Sequence, residues 1–351
     1  MPSEQSKRAY LPGLTGLRGV GAAWVLCYHV QYALHVPVAE CGFLAVDLFF
    51  MLSGFVLSHA HSGMGFGWAS YTHFLRDRFA RIFPMHWAAL TVVGLVLLLH
   101  PTLFRDMEAR FGVPELIASV FLVQNWGFSP PSWNGPAWSL STEWLVSLGF
   151  PLFLWGARRV ERPLLAGLGC AACLGAFALV LQFTHHPNAD VQGRAAIVRT
   201  VLEFAAGCLL YRMYLTEIRV NAAGKILAAA LLAVGLSAPD RTMFAIFAFP
   251  IVILISTQRS MTARVLASRP LAFLGRISFS IYLLHWILLQ ASDRLEASLG
   301  VRGWGAFLWF CGFTLLVLVL STVTYHLVEN PARLWIRGGF RLTRRAKPVP
   351  A

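Results

Sequence analysis

Long apolar stretches recur along the whole chain, and they constrain the fold more than any other feature of the sequence. A helix needs about 20 predominantly apolar residues to cross the hydrocarbon core of a bilayer. Of the 351 residues, 57% are hydrophobic and 13% are charged, whereas a soluble domain carries about 25% charged residues. We therefore predict an all-α polytopic membrane protein with ten transmembrane helices. The predicted spans are 17–35, 43–58, 82–99, 139–156, 163–183, 197–215, 224–238, 242–257, 271–290 and 304–328.

The distribution of Lys and Arg predicts the orientation of these spans. With the N-terminus inside, 22 of the 29 Lys and Arg residues fall on the cytoplasmic side, as the positive-inside rule requires. The net charge of +13 therefore reflects topology rather than nucleic-acid binding. Ten crossings place both termini in the cytoplasm. We expect a cytoplasmic segment over 1–16, an integral-membrane domain over 17–330 and a basic cytoplasmic tail over 331–351.

No signal-peptide cleavage pattern follows the polar N-terminus, so the first span is expected to act as its own uncleaved signal. The stretch over 114–138 does not resemble a further span. Its apolar part, 114–124, is too short to cross, and a segment rich in Pro, Gly, Ser and Trp follows it. Irregular backbone at membrane depth is tolerated beside protein or a watery cavity. We therefore expect a re-entrant or interfacial element that lines a cavity.

Arg18 and His29 lie eleven positions apart on the first apolar segment. On a helix they are separated by about 16 Å along the axis. An arginine at the membrane mouth can bind an anionic donor, and a histidine deeper in the membrane can transfer a proton. Ionisable residues inside a membrane are functional candidates by default. The alternative is that Arg18 is a topology signal and His29 a packing residue.

Three carboxylates, Asp47, Glu143 and Glu203, lie within or at the edge of the spans. The predicted topology places Asp47, Glu143 and His285 in the same outer depth band as His29. A histidine next to a carboxylate suits general-base catalysis, because the carboxylate orients the ring and stabilises its charged form. The alternative is a set of structural ion pairs. Cysteines do not indicate a metal site, since no His or Cys cluster accompanies the one CxxC spacing.

Two further pairs of charged residues are spaced to lie on one helical face. Arg78 and Arg81 are three positions apart, so both guanidinium groups can bind one phosphate or pyrophosphate. A basic loop between helices is the alternative for this pair. Glu203 lies one turn from Arg199, and we assign it to a structural ion pair.

Six short motifs follow one another along nearly the whole chain. They are Gly13–Gly19 with His29, Ala45–Phe55, Arg78–Pro84, Trp138–Trp144, Leu274–His285 and Glu329–Pro331. In their order and spacing they resemble the acyltransferase-3 family of membrane-bound bacterial O-acyltransferases. The chain departs from the family pattern at Trp144, where a second acidic residue is common, and at Thr15, where an aspartate is typical.

The resemblance implies a multi-pass enzyme of the cell inner membrane. Such an enzyme takes an acyl group, commonly acetyl, from cytoplasmic acyl-CoA and passes it to a hydroxyl of a carbohydrate or related acceptor. Acyl-CoA is then a co-substrate, and no tightly bound cofactor or metal is implied. By motif, Arg18 and His29 correspond to donor binding and chemistry, and Arg78 and Arg81 to a CoA phosphate contact. Asp47 and Glu143 fall on acidic positions of their motifs.

A mechanism follows from these expectations. CoA phosphates would bind Arg18, Arg78 and Arg81, and the pantetheine arm would bring the thioester to His29. Oriented by Asp47, His29 would either deprotonate the acceptor hydroxyl or take the acyl group first. The expected catalytic residues are thus His29, Asp47 and Glu143, and the expected acceptor-side residues are Asn134, Trp138, Ser141, Tyr282 and His285.

Two other functions fit the same sequence. A transporter would use the buried carboxylates and histidines as a proton relay, although no internal repeat of the kind many transporters carry is detectable. An acyl-group shuttle would pass its acyl group to a separate transferase. The lipid bilayer is the expected surrounding in every case.

Overall fold

The computed structural model describes residues 10–30, 36–102, 110–127, 132–186, 188–191, 193–299 and 303–338. Within these ranges every regular element is helical, which confirms the predicted all-α class. The expectations for residues 1–9 and 339–351 lie outside the described residues.

The α-helices are numbered in chain order. They are α1 (Pro12–Val30), α2 (Pro37–Glu40), α3 (Ala45–Ala60), α4 (Trp68–Leu99), α5 (Val113–Val120), α6 (Ala137–Leu148), α7 (Phe150–Arg158), α8 (Pro163–Phe183), α9 (Arg194–Tyr214), α10 (Ala222–Gly235), α11 (Thr242–Thr257), α12 (Met261–Leu266), α13 (Arg269–Leu299), α14 (Trp304–Thr324) and α15 (Asn330–Gly338). A π-helical turn, Tyr325–Glu329, joins α14 to α15.

Over the described residues, each predicted span coincides with one of these helices or with two consecutive ones, and residues 31–35 of the first predicted span lie outside the described residues. Among the described residues, five helical segments are long and apolar enough to cross a bilayer, and the chain is a membrane protein. They are Gly42–Ala60, Trp68–Leu99, Pro163–Phe183, Arg269–Ser292 and Trp304–Gly338. Helices α10 and α11 are apolar but shorter, with 14 and 16 residues. The count of ten crossings and the cytoplasmic termini stay predictions.

Two boundaries differ from the sequence-based expectation, each for a local reason. Helix α4 begins at Trp68 rather than at residue 82, because the polar turns before the apolar run also have good helix formers. The predicted fourth span is broken at Gly149 into α6 and α7. Pro151 lies at the start of α7 and has no backbone N–H, so it cannot continue the hydrogen-bond ladder of α6.

Helices α1 and α13 run parallel in close contact, and glycines make that contact possible. A side chain at Gly16 would collide with the Leu266 carbonyl, and one at Gly275 would collide with the Thr15 carbonyl. Small residues that allow close backbone approach are typical of membrane helix pairs. As a result the two helices stay in register along their length, which aligns the polar residues of α1 with those of α13.

Helices α3 and α9 form a second close pair of the same kind. Gly54 packs against the backbone of Phe204, and Gly207 packs against the backbone of Met51. The pair is buried in the interior of the bundle, where Phe55 is fully shielded from solvent. Because the two helices are parallel, the beginning of α3 lies beside the beginning of α9.

The stretch over 114–138 forms no spanning helix within its described residues. It consists of α5, which is 8 residues long, followed by turns and the start of α6. The end of α5 is attached to α4, because His86 donates a hydrogen bond to the Ser119 carbonyl and Trp87 donates one to the Val120 carbonyl. The element therefore packs on the bundle, as expected for a non-spanning segment.

Candidate active site

A pocket opens among α1, α3, α4, α6 and α13. It encloses about 840 Å³ of space free of protein atoms, part of it open to solvent. Ligand pockets combine apolar walls with a few polar groups, and the lining of this pocket has both. Its polar lining includes Arg18, Arg78, Arg81, Ser139, Glu143 and Tyr282.

Three arginines from two helices meet in this pocket, and we call Arg18, Arg78 and Arg81 the arginine cluster. Arg78 Nη2 lies 2.7 Å from Glu143 Oε1, and Arg81 pairs with Glu329. Among the described residues no carboxylate forms an ion pair with Arg18, whose guanidinium instead donates to Ser278 Oγ at 3.2 Å. Three positive charges thus face two negative ones, which leaves the cluster positive.

The position of Glu143 differs from the sequence-based expectation. We expected it in the same depth band as His29, but its carboxylate accepts hydrogen bonds from Arg78 and from Ser53 Oγ, the latter at 2.8 Å. Trp138 in the first turn of α6 packs against Phe50 of α3, and Glu143 follows five residues later on α6, about one and a half turns further along the helix. Glu143 therefore belongs to the arginine end of the pocket.

Tyr282 lies at the opposite end of the pocket from the arginine cluster. Its hydroxyl is 2.6 Å from Ser139 Oγ and donates to the Pro136 carbonyl at 3.2 Å. The Phe49 ring packs edge-on against the Tyr282 ring, with centroids 6.2 Å apart. Tyr282 and Phe49 thus separate the pocket from the residues beyond them.

His29 and His285 lie beyond Tyr282, and we call them the histidine pair. Their ring centroids are 4.7 Å apart, and the Tyr282 and His285 ring centroids are 5.9 Å apart. The parallel packing of α1 and α13 brings the two histidines together from residues more than 250 positions apart. His285 is fully buried, whereas His29 is partly exposed.

The backbone fixes the tautomer of both rings. His29 Nδ1 is 2.9 Å from the Val25 carbonyl, and His285 Nδ1 is 3.1 Å from the Ile281 carbonyl. A carbonyl oxygen can accept but not donate, so each Nδ1 must carry the proton of its ring. Each neutral ring therefore presents Nε2 as a free base, which is the requirement for a proton acceptor.

Asp47 does not orient His29, contrary to the sequence-based mechanism. Both of its carboxylate oxygens accept hydrogen bonds from Arg199, at 2.6 and 2.8 Å. Arg199 is fully buried, lies 3.9 Å from Glu203 and stacks near the Trp138 ring. Both oxygens of Asp47 are engaged by Arg199 because the contact between α3 and α9 places the two residues side by side. The assigned pairing of Glu203 with Arg199 is confirmed.

Among the described residues, Asp190 is the carboxylate whose charge acts on His29. It belongs to the turn 188–191, whose neighbouring residues Ala189 and Val191 are buried in the core. The Asp190 carboxylate accepts a hydrogen bond from Tyr28 and interacts electrostatically with His29. Packing of this turn against the bundle desolvates the carboxyl and raises the pKa of Asp190.

Three of the expected acceptor-side residues, Asn134, Trp138 and Ser141, make packing and hydrogen-bond contacts and are not among the residues that line the pocket. Asn134 is buried and donates to the Leu283 carbonyl at 3.0 Å. Ser141 accepts a hydrogen bond from the Asn125 backbone N–H, and Trp138 packs against Phe50. These contacts hold the 114–138 element on the bundle.

Sequence reasoning missed three polar residues of the site. Ser139 bonds to Tyr282, Glu329 bonds to Arg81, and Asp190 lies near His29. Ser139 and Glu329 belong to motifs noted in the sequence. Glu329 could also have been identified as a carboxylate directly after an apolar run. Asp190 lies in a polar turn, where no periodicity or spacing distinguishes it.

Comparison with known proteins assigns the class of protein. A family model described as an acyltransferase domain matches residues 11–326. The chain therefore belongs to the acyltransferase-3 family and is an acyltransferase.

Individual relatives carry the same assignment. The acyltransferase MdmB of Streptomyces mycarofaciens is 29% identical over 97% of this chain and 94% of its own length. The peptidoglycan O-acetyltransferase OatA of Listeria monocytogenes is 23% identical over 93% of this chain, and the O-acetyltransferase OatA of Staphylococcus aureus is 25% identical over 92%. The chain spans 56% and 57% of these two longer proteins. No solved structure matches the chain.

Proposed function

We propose that this protein transfers an acyl group, most simply acetyl, from cytoplasmic acyl-CoA to a hydroxyl of a carbohydrate or a related hydroxylated acceptor. The proposal places it in the cell inner membrane with both termini in the cytoplasm. Acyl-CoA and the acceptor are its substrates, and the lipid bilayer surrounds it. The transferred atoms go from a thioester to an oxygen ester.

The arginine cluster supports the binding of an anionic donor. Its excess positive charge is partly buried, so a phosphate or pyrophosphate of CoA would neutralise it at low cost in solvation. Arginine is suited to this task because its planar fork donates two parallel hydrogen bonds to one phosphate. Glu143 and Glu329 hold two of the guanidinium groups before the donor arrives.

The geometry of α1 sets how far the donor must reach. Arg18 and His29 are separated by about 16 Å along the helix axis. An extended pantetheine arm spans such a distance, and it would run through the pocket from the arginine cluster to Tyr282. The thioester must then pass Tyr282 and Phe49 to meet His29, so these two side chains are expected to move when the donor binds.

Proton transfer at His29 Nε2 would drive the reaction. Nε2 takes the proton of the acceptor hydroxyl, and the acceptor oxygen attacks the thioester carbonyl carbon. The carbon–sulfur bond then breaks, and the CoA thiolate takes the proton back from the imidazolium. The negative charge of Asp190 near His29 would stabilise the imidazolium between these steps. In the alternative route His29 Nε2 attacks the thioester first, which breaks the carbon–sulfur bond and forms an acyl-histidine. The acceptor oxygen then breaks the carbon–nitrogen bond of this intermediate, and the proton of the acceptor hydroxyl goes to the CoA thiolate.

The names of two relatives bear on the acceptor. One is called a peptidoglycan O-acetyltransferase and another an O-acetyltransferase, and both names fit transfer to a hydroxyl. We therefore propose a glycan or a hydroxylated small molecule as the acceptor class. Asp190 and His29 are exposed enough to meet such an acceptor from the side of the turn 188–191.

The observation that carries the proposal is a pocket with arginines at one end and Tyr282, next to the histidine pair, at the other. Membrane vesicles from cells that produce the protein, mixed with an extract of the same cells as the source of acceptor, test it. Labelled acetyl-CoA should yield alkali-labile label in the glycan or small-molecule fraction. His29→Ala should lower this yield at least 100-fold, whereas the control His100→Ala should retain it.

Other outcomes would favour the competing functions. Label that stays on the protein without turnover would indicate an acyl-group shuttle. Uptake of a solute without any dependence on acetyl-CoA would indicate a transporter. Full transfer by the His29→Ala variant would remove His29 from the chemistry.

A further inference from the structure

Glu329 is a buried carboxylate that lies behind the arginine cluster. It is 2% exposed and does not belong to the described residues that line the pocket. One of its carboxylate oxygens accepts from Arg81, and the other accepts from Ser280 Oγ at 2.8 Å. Both oxygens are thus held, by side chains from α4 and from α13.

The backbone around Glu329 is unusual. The π-helical turn Tyr325–Glu329 interrupts the long helical segment formed by α14 and α15. A π-helical turn inserts one extra residue into a helix, and such turns are rare and occur frequently at functional sites. The inserted residue changes which face of the helix points inward, so Glu329 at the end of the turn can face the bundle.

The surroundings give no packing reason for a carboxylate here. In α14 the buried residues are Ala306, Phe313, Val317 and Ser321, so most of the helix faces outward. A charged group on such a segment is costly in a membrane unless it is paired. The partner that Glu329 has is Arg81, which does line the pocket.

Arg81 needs a fixed direction if it is to bind an anion. Its guanidinium lies over the Phe279 ring, with 5.1 Å from Cζ to the ring centroid. A long arginine side chain has many rotamers, and a hydrogen-bonded carboxylate together with an aromatic face restricts them. Ser280, next to Phe279 in sequence, holds the carboxylate itself. The hydrogen bonds from Ser280 to Glu329 and from Arg81 to Glu329 therefore hold the Arg81 guanidinium from the side that faces away from the pocket.

We propose that Glu329 is a positioning residue, which acts through Arg81 to bind the anionic phosphate group of the donor. The role rests on the proposed function of the pocket. Glu329 does not touch the ligand itself. It pre-orients Arg81, which lowers the entropy that binding would otherwise cost.

A double-mutant cycle on the purified full chain in detergent tests this role. Calorimetry would measure the Kd of acetyl-CoA and of inorganic pyrophosphate. Glu329→Gln should weaken both Kd values about tenfold, because the neutral amide holds Arg81 less firmly. Arg81→Ala should weaken them at least as much, and Glu329→Gln added to Arg81→Ala should change them less than about twofold.

Control variants separate positioning from general stability. Ser280→Ala removes one of the two contacts of Glu329 and should weaken binding by about threefold, which keeps the role testable if Glu329→Gln fails to fold. Ser321→Ala changes a buried polar residue one turn before the π-helical turn and should leave both Kd values unchanged. Thermal unfolding in the same detergent checks that each variant is folded.

Each possible result either supports or overturns the positioning role of Glu329. Independent effects of Glu329→Gln and Arg81→Ala would overturn it, and so would tighter binding by Glu329→Gln, which would mean that Glu329 competes with the ligand. Coupling seen with pyrophosphate but no binding of acetyl-CoA would overturn the proposed donor and leave the role of Glu329 standing. Binding of neither probe would overturn both.

Discussion

Arg199 is a fully buried arginine between two carboxylates. Asp47 binds it through two hydrogen bonds, whereas Glu203 lies further away at 3.9 Å. The three groups are shielded completely from solvent, so the local protein and not water must balance their charges. One guanidinium cannot neutralise two carboxylates, and the two acidic residues are therefore not equivalent.

The two carboxylates should differ when each is replaced by its amide. Asp47→Asn leaves Arg199 without its bidentate partner and should cost about 3 kcal/mol of stability, since breaking a buried ion pair leaves an uncompensated charge. Glu203→Gln leaves the bidentate pair of Arg199 with Asp47 in place and should cost less than about 1 kcal/mol. Thermal unfolding in detergent measures both changes, and an equal loss for the two variants would contradict this view of the triad.

Asp190 should influence the pH dependence of transfer. A negative charge near His29 favours the protonated ring, whereas the reaction starts from the neutral ring. Without that charge the ring stays neutral to lower pH, so Asp190→Asn should move the acid limb of the pH–rate profile to lower pH. The magnitude should be a fraction of a pH unit to about one unit, because the carboxylate is exposed on one side.

Initial rates of acetyl-CoA consumption in membrane vesicles between pH 5 and 8 would show this shift. Asp240→Asn makes the same change of charge in another loop and serves as the control, with no displacement of the profile expected. An unshifted profile for Asp190→Asn would separate the carboxylate from the proton transfer.

Residue spacing within single helices predicts which arginines belong to the site, but it does not predict the residues with which they pair. Arg78 and Arg81 follow from a separation of three positions, and Arg18 from its place ahead of His29. Asp47 was assigned to the wrong partner, because the contact of α3 with α9 decides its pairing. Such a contact joins residues some 150 positions apart, and no local pattern records it.

At the scale of helices, the parallel pair α1–α13 aligns the site. The backbone of Thr15 approaches Gly275 so closely that a side chain there would overlap it. The same contact places Arg18 beside Ser278 and His29 beside His285. The distance between the arginine cluster and the histidine pair is therefore set by helix packing.

Gly275→Ala tests this dependence. The added methyl group should push α13 away from α1 and destabilise the fold by about 1–3 kcal/mol, as overpacking does. Gly312→Ala in α14 is the matched control, because no atom lies within 4 Å of the added methyl group. The control should be neutral or slightly stabilising, since alanine favours helix over glycine. Melting temperatures in detergent would compare the two, and equal values would argue against a tight α1–α13 contact.

The sequence predicts which segments are helical better than it predicts where each helix begins and ends. Each apolar run became a helix, because burying apolar side chains away from water favours any element that satisfies its own backbone. The start of α4 depends on the polar turns that precede its apolar run, and the break at Gly149 depends on Pro151. The length of an apolar run contains no information about either feature. The π-helical turn before α15 has no local sequence signature either, and Glu329 at its end contacts residues of α4 and α13 that are distant in sequence.

At the scale of the whole molecule, two chemically different centres share one bundle. The arginine cluster is positive and opens into the pocket, whereas the histidine pair lies beyond the pocket. The sequence predicted both centres and their separation along α1, because helix rise converts position into distance. It did not predict the Tyr282–Phe49 contact between them, which needs α3 and α13 to meet.

The size of the side chain at Tyr282 should therefore control passage of the thioester more than binding of the donor. Tyr282→Trp enlarges the barrier and should lower the rate of transfer tenfold or more, because a small misplacement of the reacting groups is costly. The Kd of acetyl-CoA should change less than about threefold, since its phosphates bind at the arginine cluster. Tyr282→Phe keeps the size and loses the hydrogen bonds to Ser139 and Pro136, and it should retain most of the rate. Calorimetry and vesicle transfer assays measure the two quantities, and a parallel loss of both in Tyr282→Trp would show that Tyr282 belongs to the donor site instead.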